Sequence, residues 1–197
     1  VRIGIAPDLV GNADARLTLL TLCNHVVRFC PTVILDVDDD ALGRECFEIT
    51  ASIRGEHHRM RRADEVGDPG AVDATVVVAT VNPGPDAIVV NSDGWLARLA
   101  SGSEAPRVLP MSAATPNAVG AIAAACLGSG EMFLRLIDFA IQSRNVELTM
   151  MTGESGPVGS FHRGPDLPES SARLDGLLVG CGNVGNGWTY AMRHLPV

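Results

Sequence analysis

At 197 residues, 46% hydrophobic and 19% charged, the chain has a globular composition and the length to bury a core, which excludes a disordered or fibrous protein. A formal net charge of -8 sets most of the surface against a phosphate backbone, so nucleic acid is excluded as a first partner. The five cysteines, Cys23, Cys30, Cys46, Cys126 and Cys181, never form a C-x-x-C pair; this excludes a disulfide framework or a zinc site and reads as buried, reduced thiols of a cytoplasmic protein.

No basic segment followed by an apolar run opens the chain, so no signal peptide is expected. The apolar stretch around Val119 to Ala140 carries Glu131, Arg135 and Asp138 and is broken by Gly128 and Gly130, which argues against a membrane span. A start at Val1 without methionine, together with an abrupt end, suggests a portion of something longer.

In chain order, Arg2 to Ala6 reads as a short buried strand and Pro7 to Gly11 as a turn, with Asn12 placed to cap a helix. In that helix Leu17, Leu20, Cys23, Asn24 and Val27 fall at three- and four-residue spacing, a stripe for a sheet. Pro31 ends it, and Thr32 to Val37 is a second strand, which completes one βαβ unit. Asp38 to Gly70 is less legible. Its basic run RGEHHRMRR, with His57 and His58, reads as a solvated helix or loop face; the two histidines lack a third ligand at metal spacing.

Ala74 to Val81 is a continuous β-branched run, the mark of a strand buried on both faces. The turn NPGPD, the strand AIVV and the turn NSDGW follow, with Trp95, Leu96 and Leu99 anchoring a segment on the core edge. SGSEAP is a loop and RVLPM a short strand. A long helix starts at Thr115-Pro116-Asn117 and reaches roughly Gln142, with small residues in its first half for close backbone approach. Asn145 to Met151 is one more strand, and the Gly-, Pro- and Ser-rich stretch after it is a linker. The string GESGPVGS in that linker lacks the lysine and the spacing of a P-loop.

Leu174 to Val179 reads as a buried strand, and Gly180-Cys181-Gly182-Asn183-Val184-Gly185 fits G-x-G-x-x-G before a helix, WTYAMRHL. Gly180 permits the tight turn, Gly182 lets backbone approach a phosphate and Gly185 lets the helix pack on the strand. The helix N-terminus offers unpaired N–H groups to the anion, and Asn186 or Thr189 adds a polar contact. The confirming acidic residue about 20 positions on would lie past Val197.

On these residues the chain resembles the ThiF/MoeB/HesA family of E1-like adenylyltransferases. GCGNVGNGWTYAMRHLP is similar to that family's nucleotide loop and helix, and NSDGW with TPNAVGAIAAACLGSGEMFLRL to its Gly-Trp turn and Ala-rich helix. The resemblance implies a Rossmann-like α/β sheet with flanking helices. It divides the chain into an N-terminal domain at 1–151, a linker at 152–172 and the start of an adenylation domain at 173–197. It further implies that the full-length protein uses ATP and Mg2+ to activate the C-terminal carboxylate of a ubiquitin-like or sulfur-carrier protein, and that this portion is inactive alone. Gly180, Cys181, Gly182, Asn183, Gly185 and Asn186 then line the phosphate loop, and no catalytic or metal residue is assigned. Glycine often stands in that family where this chain has Asn183. The first βαβ turn, APDLVGNADA, has a single glycine, so the N-terminal half reads as a structural or partner-docking half. A homo-oligomer is expected. The alternatives are a fragment of an NAD(P)-dependent oxidoreductase and a non-catalytic scaffold or dimerisation module.

Overall fold

A computed structural model describes residues 1–51, 53, 59–66, 72–103, 105–112, 117–139, 143–167 and 189–194. Its strands are β1 (Arg2–Ile5), β2 (Thr32–Asp36), β3 (Arg59–Arg62), β4 (Thr75–Val78), β5 (Ala87–Asp93), β6 (Leu96–Ser101), β7 (Arg144–Thr149) and β8 (Ser155–Gly156). Its helices are α1 (Ala13–Val26), α2 (Asp40–Thr50), the single turn α3 (Ala63–Val66) and α4 (Ala118–Leu136). The eight strands form one sheet in the order β3-β2-β1-β4-β5-β6-β7-β8. Strands β3 to β5 are parallel neighbours, while β6, β7 and β8 run antiparallel. The expected α/β class, a Rossmann-like layered sheet with flanking helices, is what forms.

The three longer helices each begin where a side chain takes over an unpaired N–H. Asn12 accepts from the amide of Ala15 at 3.0 Å, Asp39 from Leu42 at 2.6 Å, and Asn117 from Val119 at 3.0 Å. The helices share one face of the sheet. Ile3, Leu35, Val76, Ile88 and Val90 from the strands meet Leu19, Leu22 and Val26 of α1, Leu42 and Cys46 of α2, and Ala125 and Met132 of α4 in one buried cluster. In α1 that buried stripe includes Leu19 and Leu22, whereas Leu17 and Asn24 of the expected stripe are only half-buried. Flanked by α2 and α4, the helix buries apolar residues on several sides, so three- and four-residue spacing singles out no one face.

The small residues of α4 do allow close approach. A Cβ on Gly128 would touch Val90, Leu22 and Val76, and one on Gly120 would run into the carbonyl of Gly94. Gly94, at φ +62°, makes the tight turn between β5 and β6. The helix ends at Leu136 rather than near Gln142, which lies outside the described residues. By length and composition it could cross a membrane, but half of the relevant window is buried. Glu131 is buried as well, bonded to Ser101 at 3.0 Å and paired with Arg144 at 3.4 Å.

Several sequence readings need correction. Part of the basic run, Arg59–Arg62, is an edge strand beside β2, with Met60 alone of the four turned into the core. His57 and His58 lie outside the described residues. Leu96, expected as part of an anchoring segment, opens a full strand that is buried throughout. RVLPM contributes only an isolated bridge, Val81 to Val108. The described part of the stretch read as a linker, 152–167, bonds to the sheet: β8 pairs with β7, and Trp95 donates from Nε1 to the Pro165 carbonyl at 2.8 Å.

Alanine at Gly120 should cost about 1–3 kcal/mol, the penalty for forcing an atom into filled space. Alanine at Gly130, where a Cβ meets nothing within 4 Å, should stabilise the protein by about 0.5–1 kcal/mol through helix propensity. Urea midpoints of the two variants against the wild type check both signs.

Candidate functional site

The glycine turn expected to bind phosphate, with Gly180, Cys181, Gly182, Asn183, Gly185 and Asn186, lies outside the described residues. The helix expected after it is present at 189–192, where the Tyr190 hydroxyl sits 3.0 Å from Thr21 Oγ1 on α1. The described residues offer four other places where function could reside.

The first is the β1–α1 turn, where a phosphate would sit in a parallel α/β sheet. A 3-10 turn at Pro7–Leu9 fills it, and Leu9 is buried. The first turn of α1 carries Asp14, whose carboxylate accepts from the backbone N–H of Asn117 at 2.7 Å and so joins the starts of α1 and α4. Burial pushes the Asp14 carboxyl up to about 6; the Asn117 bond opposes the shift, the nearby Asp93 adds to it, and Arg163 counters it. A carboxyl in this position repels phosphate.

The second is a buried cluster of charge on the face away from the helices. Arg98 on β6 donates from Nε to Glu147 on β7 at 2.6 Å, pairs with Asp93 on β5 at 3.4 Å, and also donates to the Pro110 carbonyl. Ser112 donates to Asp93, Arg163 donates to Ser112 at 3.0 Å, and the amide of Phe161 donates to Glu147 at 2.9 Å. Glu147 is fully buried and Arg98 is 4% exposed. Every member is bonded to another protein group, so the cluster is a fastening that ties two loops to three strands. Sequence reading missed it. The available signal was a lone arginine, Arg98, in the middle of the mostly apolar strand LARLAS, where an unpaired charge is too costly to bury.

The third is a groove of about 450 Å³ beside α4, with Ile122, Cys126, Leu127, Leu148 and Met150 on its walls and Ala191 at one side. It is apolar and offers no acid, base or anion donor. Its exposed thiol does not fit the expectation of buried cysteines, which Cys23, Cys30 and Cys46 meet. The Cys46 contact and burial raise the Cys23 thiol, and burial pushes Cys30 to about 11. Neither of these two is activated as a nucleophile. Among the described residues no group of three His, Cys, Asp or Glu side chains is placed to hold a metal ion.

The fourth is the rest of the face away from the helices. Over β5 and β6 it is closed by the 105–112 loop, with Leu109, Val89 and Ala100 buried beneath. Asn91 bonds the carbonyls of Ala79 and Leu109 at 3.1 and 2.9 Å to hold that loop down. Among the described residues no loop covers the face over β3, β2 and β1, although Ile34 on it is buried, and Val77 of β4 and Ala6 pack against the cluster beneath the 105–112 loop. A trough of about 380 Å³ runs along this face, floored by Gly4, Ala6, Thr75 and Val77 and flanked by Arg2 and Asp36. Asp36, Asp38, Arg59 and Arg61 are exposed there.

The fold and these surfaces define an α/β domain with helices on one face and a partly bare parallel sheet on the other. Residues 1–150 match the BilD N-terminal domain, and the chain belongs to that family. No curated protein matches the chain. The family match corrects the resemblance to ThiF/MoeB/HesA: the domain matched is the BilD N-terminal domain. The E1-like adenylyltransferase reading loses the ground it stood on, and the carrier-protein partner rested on that same resemblance.

Two outcomes test these assignments. The folded-state pKa of Asp14 lies above its unfolded value of 3.8, so its contribution to stability is complete below that value and is lost as pH rises through about 6. Asn at position 14 keeps an accepting oxygen and removes the titration. Wild-type unfolding free energy should therefore fall by on the order of 2 kcal/mol more than that of Asp14→Asn between pH 4 and pH 7, read from denaturant titrations. Separately, Arg98→Met strands the Glu147 charge and should cost about 3–5 kcal/mol, whereas Arg98→Met combined with Glu147→Gln should recover part of the loss.

Proposed function

We propose that residues 1–150 form a protein-docking domain that works through the open face of β3, β2, β1 and β4. The observation that carries this reading is the bare parallel sheet itself. Parallel strands occur almost only with both faces covered, because their backbones and apolar side chains are poorly suited to water. Here α1, α2 and α4 cover one face, and among the described residues the 105–112 loop covers the other over β5 and β6 and as far as Val77 of β4, leaving β3, β2 and β1 without a covering loop. The floor is small and apolar at Gly4, Ala6 and Val77, and the flanks are charged, the make-up of a surface that is covered part of the time.

The filled β1–α1 turn supports a binding role over a nucleotide-dependent one for this domain. Nucleotide binding, with ATP and Mg2+ in the full-length protein, stays a proposal for the glycine turn at 180–186 alone. The buried thiols at Cys23, Cys30 and Cys46 and the acidic surface favour the cytoplasm.

A photo-crosslinking amino acid placed at Thr32 or Thr75, both on the open face, should give a discrete protein adduct in cells expressing the full chain. The same group at Glu48, exposed on α2, should give none. Absence of adducts at both threonine positions would remove the docking role.

A further inference from the structure

We infer that the occupant of the open face is a second copy of this chain, laid across the first with its strands antiparallel. This rests on the docking role proposed above and names its partner. The register of the sheet sorts the charges on that face into rows. Arg2 is level with Ile34 on β2 and Thr75 on β4, and Ile34 is level with Arg61 on β3. One side of the sheet therefore presents Arg61, Ile34, Arg2 and Thr75 in a line across four strands. Arg59, level with Thr32, adds a cation one row further toward the strand N-termini.

The next row in the other direction is Asp36, Gly4 and Val77, again level with one another. Asp38 follows it at the end of the trough. Positive charge lies toward the N-terminal ends of the strands and negative charge toward the C-terminal ends, with rows about 7 Å apart. Within one copy the only pairing across the rows among the described residues is Arg2 to Asp36, at 3.9 Å and partly exposed. Arg59 and Arg61 reach into solvent.

A two-fold axis lying in the interface, across the strands and midway between the rows, sets each cationic row over the anionic row of the other copy. Sheets that face one another stack about 10 Å apart, a gap that arginine side chains bridge. In this arrangement each Asp36 lies between Arg2 and Arg61 of the second copy. A two-fold axis along the strands would instead set arginine on arginine and aspartate on aspartate. The charge pattern thus selects one of the two face-to-face symmetries.

Area sets the strength. Four strands about 4.8 Å apart and five residues long present on the order of 300 Å² per copy, below the roughly 800 Å² per partner of a stable complex. Exposed Val81 and Val108, bridged to each other beside the end of β4, extend the contact with apolar surface. The net charge of -8 on each copy works against association at long range. The pair is consequently weak and concentration-dependent.

Sedimentation equilibrium of the full chain over a wide concentration range tests this. Wild type should show a reversible monomer–dimer equilibrium. Arg61→Glu and Asp36→Lys, each at an exposed side chain, should each raise the dissociation constant at least tenfold. The double variant, with the charges exchanged, should return to within about threefold of wild type. Matching thermal melts and circular dichroism verify that each variant is folded. A chain that stays monomeric, a dimer indifferent to both single variants, or a double variant with no recovery would each overturn the second-copy assignment. The crosslinkers at Thr32 and Thr75 separate the two levels of the claim. An adduct of twice the chain mass supports self-pairing. An adduct with a different protein leaves docking intact and overturns the second copy.

Discussion

The guanidinium of Arg98, held inside the protein between Asp93 and Glu147, is the contact on which the far face of this fold depends. These three residues sit on β5, β6 and β7, adjacent strands, and their remaining hydrogen-bonding capacity goes to Pro110, Ser112 and Phe161 in the loops that cover those strands. A fully desolvated charge is tolerated only when its partners are fixed in place. The consequence is geometric: the loops must close over the antiparallel end of the sheet for the ion pairs to form. That closure buries Leu109, Val89 and Ala100 and gives half of the sheet a second covering.

Among the described residues the parallel end has no such fastening. Its strands offer Gly4 and Thr75 together with Ala6 and Val77, which pack against the margin of the cluster beneath the 105–112 loop. The contrast between the two ends explains why one helical layer is sufficient on the near side, where α1 lies between α2 and α4, while the far side is divided into a sealed half and a bare half. At the top of β1 the buried Leu9 and the Asp14 carboxylate, bonded to the Asn117 amide, stand where a glycine loop would offer open backbone N–H groups.

How much of this was legible in the sequence follows from which forces leave a local pattern. β1, β2, β4 and the first part of β5 were readable because buried parallel strands are short β-branched runs. The starts of α1 and α4 were readable from Asn12, which caps its helix as expected, and from Thr115-Pro116-Asn117, of which Asn117 supplies the cap. β3 was not, because Arg59, Arg61 and Arg62 obey the needs of an edge and a solvent-facing row rather than strand propensity. α2 was lost among the charges of Asp38 to Gly70, although Asp39 caps it in the ordinary way. The charge cluster around Arg98 was hard to read for a different reason: Arg98 and Glu147 lie 49 residues apart, and nothing local to Glu147 announces its partner. The open face was equally hidden, since only strand order and register place Arg2 beside Arg61.

The arginines of β3 also have a bearing on how the protein behaves when concentrated. β3 is the outermost strand on its side, and its free edge is a template to which another strand could be zipped. Three cations in four residues make that addition repulsive between like edges, and the two-residue β8 leaves almost no template at the opposite end. As far as the described strands go, the sheet is therefore guarded against end-to-end growth on both sides.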